Sequence, residues 1–189
     1  MKILLLAVLV LTCTSAMTAQ STEKETNHLT ATLSGINEIP LTQISNGSGA
    51  FTATLNNDST MTFNLSFSNL PTPVIGAFIN IGATKTVGGI AVVICQSVGV
   101  PPAGVPACPN DGTNSGAVTG TLTAANVLGF AAVQGLAAGD FASLVRAIAS
   151  GVAYVEVFTI QRIGNGEGAI RGQIRQEGTD EDDKLPGAK

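Results

Sequence analysis

Histidine, tryptophan and tyrosine are almost missing from this chain of 189 residues, which has one histidine (His28), no tryptophan and one tyrosine (Tyr154). A single histidine takes the commonest metal ligand and general base away from every position but one. Charge is scarce as well, at 12% Asp, Glu, Lys and Arg against 44% hydrophobic residues. Residues 20–176 hold eight acids and six bases, and residues 177–189 carry a further −3. The body is therefore close to neutral. It has no basic footprint for nucleic acid and no polybasic patch for anionic lipid. The sequence contains no GxSxG, HExxH, P-loop or CxxC motif. The glycines at 164, 166 and 168 precede a strand pattern, not a helix, so they form no phosphate cradle. Asp111-Gly112-Thr113-Asn114 offers too few carboxylates for a firm calcium site. No cofactor is expected, and no reaction.

Long apolar runs are confined to the start. Lys2 followed by the unbroken run Ile3–Leu11 and then Thr, Ser and Ala reads as a signal peptide over residues 1–19, cleaved after Ala16 or Ala19. The run is too short to span a bilayer. Lipid anchoring through Cys13 is the competing reading, set against Thr12 where such signals want a smaller residue. Residues 20–27 are a polar lead-in, residues 28–176 one β domain, and residues 177–189 an acidic tail without apolar content. The chain is expected to be secreted or periplasmic.

Period-two alternation dominates the body. Leu29, Ala31 and Leu33 alternate with threonines, and so do Phe51, Ala53 and Leu55; Met61, Phe63, Leu65 and Phe67 alternate with Thr62, Asn64 and Ser66. Asn56-Asn57-Asp58-Ser59 is a turn that pairs the second and third of these strands. Ile75, Ala77, Ile79 and Ile81 share one face of the next strand, with Gly76, Phe78 and Asn80 on the other. Ile90–Cys95 is nearly all apolar and reads as a central buried strand. Thr119, Thr121 and Thr123 mark another. Thr123 caps a short turn, and Asp140 caps a helix with Phe141, Leu144, Val145 and Ile148 along one side. Finally Val155 and Val157 point to the core while Tyr154, Glu156 and Phe158 point away, and Ala169–Arg175 returns as the second arm of a hairpin. The pattern predicts a mostly β fold, an antiparallel β-sandwich or flattened barrel with one short helix.

With Cys13 removed, Cys95 and Cys108 are the remaining pair. In an exported chain they are expected to form a disulfide, with free or metal-bound thiols as the alternative.

Two motifs carry a family resemblance. Leu33-Ser34-Gly35-Ile36-Asn37-Glu38-Ile39-Pro40 resembles LSGxxEVPP, and Ala153–Thr159 followed by Gly168–Ile174 resembles AYVNVHT followed by GEIRGQI. These are the opening and closing motifs of the CHRD domain, the chordin-type repeat of many bacterial exported proteins, and the resemblance covers roughly residues 29–176. Relatives often carry cysteines near positions 95–108. They also carry histidines in two elements where three imidazoles would suit copper or zinc. Here those positions are Phe78, Asn80 and Phe158, and Ala169 replaces a glutamate. A copper- or zinc-binding β-barrel whose histidine site is degenerate is thus the alternative to a non-enzymatic structural or binding module. The partner would be an unidentified protein or a component of the envelope or matrix.

Glu38 and Arg171, which match the opening and closing motifs, are expected to form an ion pair tying the first and last strands together. A catalytic acid held by an arginine is the competing reading, but no candidate base accompanies it. Phe78 and Phe158 either pack as core or, with Asn80, Tyr154 and Glu156, form a binding face.

Overall fold

The computed structural model describes residues 27–56, 59–109, 113–160 and 168–177. The expected signal peptide with Cys13, the expected lead-in to residue 26, Asn57-Asp58, Asp111-Gly112, Gly164 and Gly166, and the tail after residue 177 lie outside the described residues.

The alternating segments become strands because each has one face to bury and one to leave wet. They are β1 (His28–Ser34), β2 (Ser48–Leu55), β3 (Met61–Ser68), β4 (Val74–Ile81), β5 (Gly89–Gln96), β6 (Gly116–Leu122), β7 (Ala153–Thr159), β8 (Ile170–Gln173) and β9 (Arg175–Gln176). All pair antiparallel in one sheet of order β5-β4-β7-β8-β1-β2-β3-β6, with β9 also on β1. The sheet curls into a nearly closed barrel. Of the two expected architectures the barrel is the one formed. Its core is made of inward residues from successive strands, among them Leu33, Phe51, Leu65, Ile79, Val155 and Ile170.

Helix α1 (Phe141–Ala149) starts where Asp140 accepts a hydrogen bond from the Ser143 N–H (2.9 Å). Its Phe141, Leu144 and Ile148 are buried, and it packs on β7 and β9. Among the described residues no helix is long and apolar enough to cross a membrane.

Two expectations change. The apolar strand β5 is not central: it ends the strand order and pairs only with β4 among the named strands. It is buried because the chain after β6 covers it. Leu128 donates to the Ala91 carbonyl (2.8 Å), Val92 bridges to Val127, and the loop after Gln96 folds back, Gln96 N–H donating to Pro106 O (3.0 Å). An apolar run reads the same whether strands or loops do the covering. Ile75, expected to face inward with Ala77, lines an outer groove. The β4–β7 register slips between Val74 and Gly76, and one residue of slip changes the face.

Cys95, at the end of β5, is bonded to Cys108. The bond ties the covering loop to this edge strand. Reduction of the disulfide, or the Cys95→Ala/Cys108→Ala variant, is expected to lower stability by roughly 3 kcal/mol, the loop-closure value for this separation. Urea unfolding with and without reductant measures it.

Candidate functional site

β7 lies between β4 and β8, so the outward residues of three strands meet on one face. The register sets Asn80 beside Tyr154 and Phe78 beside Glu156 across β4–β7, then Glu156 beside Arg171 and Tyr154 beside Gln173 across β7–β8. Two loops fold over part of this face. One runs from the 3-10 turn at Gly35–Asn37 through Glu38 to Gln43 and is closed by Gln43 N–H donating to Gly35 O (2.8 Å). The other is the 82–88 connection between β4 and β5.

Under these loops the polar side chains form a buried cluster. Asn80, Tyr154, Glu156, Arg171 and Glu38 are 2%, 1%, 7%, 3% and 1% exposed. Arg171 stacks on the Tyr154 ring, with Cζ 3.4 Å from its centroid. Its Nη2 donates to Thr86 O (2.8 Å) and Ala83 O (3.4 Å). Gln173 donates to Gly82 O (3.0 Å) and Gly151 O (2.7 Å), and the Gly88 N–H donates to Tyr154 Oη (3.1 Å). Three side chains of β7 and β8 therefore anchor one loop.

The other loop is held by Asn37, whose Nδ2 donates to Arg171 O (3.1 Å), and it brings the buried Glu38 carboxyl into the cluster. Glu156 accepts from Asn80 Nδ2 (3.2 Å) and from the Gly168 N–H (3.1 Å), and the Glu38 carboxyl lies beside it, both facing Gly168. Two buried carboxyls side by side disfavour ionising together. Burial, the largest influence, pushes the Glu156 carboxyl above its ordinary range, against the opposing effects of the adjacent Glu38, the Gly168 N–H and the charge of Arg171. Burial likewise raises the Tyr154 phenol, helped by the Glu156 charge. Position 168 has to be glycine: a Cβ there would lie 2.6 Å from Glu156 Cγ and 2.7 Å from Glu38 Oε1.

The five residues of the expected binding face thus divide. Asn80, Tyr154 and Glu156 are not a rim, because the two loops cover them. Phe78 and Phe158 pack edge to face, with ring centroids 5.3 Å apart, and are half-buried. They line an apolar groove of about 380 Å³ together with Ile75, Val93, Val98 and Phe130. Glu38 and Arg171 lie in the same cluster. We propose that they attract one another, as the motifs imply; Arg171 also meets the Tyr154 ring and the loop carbonyls. Sequence reasoning missed the Glu38–Glu156 contact and the anchoring by Gln173. The available signal was an acid placed between Val155 and Val157 in a strand.

This is a nearly closed antiparallel barrel whose opening and closing motifs are joined by a buried polar cluster. The chain belongs to the CHRD domain family, whose model matches residues 29–174. No curated protein and no solved structure matches it. Among the described residues no three His, Cys, Asp or Glu side chains come together. The positions that relatives give to imidazoles hold two packed rings and an amide bonded to Glu156, so the copper or zinc reading finds no support.

Two expectations follow. Arg171→Ala should cost about 3–5 kcal/mol, since it leaves buried acceptors and a buried carboxyl pair without the cation, and an unchanged thermal midpoint would refute this. The raised Glu156 carboxyl sets the pH dependence. Below its ordinary value of 4.5 both folded and unfolded chains hold the proton. Above that value the unfolded chain loses it first, so this contribution falls as pH rises until the folded group ionises too. The stability difference between wild type and Glu156→Gln should therefore shift steadily against wild type from pH 4.5 upward. Parallel pH curves would contradict the assignment.

Proposed function

We propose that this chain is an exported, non-enzymatic binding module of the extracytoplasmic space, and that it meets its partner through the groove around Phe78 and Phe158. The observation that carries the reading is the contiguous apolar surface at that groove. Around the half-buried ring pair stand Val98, Val100 and Phe130, which are 58%, 93% and 66% exposed. Patches of this kind mark contact surfaces. Membership of the CHRD family is compatible with a binding role. The buried titratable groups Glu38, Glu156 and Tyr154 support a non-catalytic reading. They are held by one another and by loop backbone, and a general acid or base has to reach its substrate. The leader sequence and the Cys95–Cys108 bond support export.

A photo-crosslinking residue at position 130 of the full chain, expressed in its source cell, tests the reading. The expected result is a discrete adduct outside the cytoplasm that disappears in Phe158→Ser. That variant should lose only about 0.5–1.5 kcal/mol from the ring pair beyond its buried area. No adduct, or one indifferent to Phe158→Ser in a folded protein, would reject this surface.

A further inference from the structure

A second groove lies on the same outer face, over β8, β9 and β1. It encloses about 540 Å³ and is lined by Thr30, Thr32, Lys85, Arg171, Gln173 and Arg175, with the buried Glu38 also on its wall. The basic side chains among the described residues are Lys85, Arg146, Arg171 and Arg175, and three of these four line this one groove. In a chain of net charge −4 such a concentration is a matter of placement, not composition.

The groove is built by the buried cluster. Arg171 binds the carbonyls of Ala83 and Thr86 on either side of Lys85. Lys85 itself sits in the left-handed region at φ 63°, a conformation a lysine keeps only where its surroundings impose it. Arg171, Gln173 and Arg175 alternate along the last strands, which puts Arg175 about 13 Å of extended chain beyond Arg171. The Thr30 and Thr32 side chains, exposed on β1, stand beside them through the Thr30–Arg175 pairing.

The spacing decides the ligand class. A single phosphate or sulfate is recognised by donors converging on one point. Here the exposed cations, Lys85 on the 82–88 loop and Arg175 on β9, come from separate elements of a groove that also carries the Thr30 and Thr32 hydroxyls. That matches a ligand with repeated carboxylates separated by hydroxyls. We propose that this groove binds an acidic oligosaccharide, a short uronate chain, with Lys85 and Arg175 meeting its carboxylates, Thr30 and Thr32 its hydroxyls, and Arg171 holding the loop that carries Lys85. The site is separate from the Phe78–Phe158 groove and does not depend on it.

Titration calorimetry of the full-length mature protein tests this, with oligogalacturonate as the probe, a neutral maltooligosaccharide of equal length as control and inorganic phosphate as competitor. The expected result is binding of the uronate alone, weakened about tenfold by raising salt from low to several hundred millimolar. Lys85→Ala/Arg175→Ala should weaken it by about tenfold at an unchanged thermal midpoint. Phe158→Ser should leave it untouched, which separates this site from the apolar groove. The proposal is overturned if the folded protein ignores the uronate, if the neutral chain binds as well, if phosphate competes at equal concentration, or if the double variant binds like wild type.

Discussion

One buried cluster holds the outer face of this barrel in place: the neighbouring carboxyls of Glu38 and Glu156, beside Arg171. Glu38 belongs to the segment that follows the first strand, Glu156 to the strand at the middle of one sheet half, and Gly168 to the approach to β8. Three distant parts of the chain converge around the Glu156 carboxyl. Taking two carboxyls and a guanidinium out of water is costly, and it is offset only when their donors and acceptors are met inside. Asn80 and the Gly168 N–H meet those of Glu156, while Tyr154 and two loop carbonyls meet those of Arg171. The motif that this segment resembles has asparagine where this chain has Glu156, so the second carboxyl of the pair departs from that pattern.

The two loops fixed by the cluster divide the outer face into unlike surfaces. Over β5, β4 and β7 the sheet shows phenyl rings and aliphatic side chains. Over β8, β9 and β1 it shows threonines and basic groups. The buried cluster is the wall between them. Its residues have little exposure of their own, and their effect on binding runs through the loops they hold. The 82–88 loop shows this most clearly, since it is anchored by Arg171, Gln173 and Tyr154 and carries the exposed Lys85.

The same face shows how the positions that the family resemblance assigns to imidazoles can hold aromatic rings and an amide within this fold. Phe78 and Phe158 occupy neighbouring outward positions on paired strands, and aromatic cross-strand neighbours stabilise a sheet by packing. Asn80 turns its amide to Glu156. Neither change touches the inward faces of β4 and β7, where Ala77, Ile79, Val155 and Val157 remain in the core.

Most strands, the helix with its Asp140 cap, the Cys95–Cys108 pairing and the family were legible in the sequence, because each rests on local periodicity, capping chemistry or a short motif. Period two assigns Tyr154, Glu156 and Phe158 to one face from the residues alone. It does not say what covers that face, since the covering loops come from residues 35–43 and 82–88, far away in the chain. Tertiary structure decided that Asn80, Tyr154 and Glu156 are buried while Phe78 and Phe158 stay half-open. It also decided that β5 is an edge strand sealed by a loop, that Ile75 turns outward at a register slip, and that Glu38 meets Glu156. Local sequence determines which residues prefer to be buried or paired, and only the closing of the barrel determines which partners reach them.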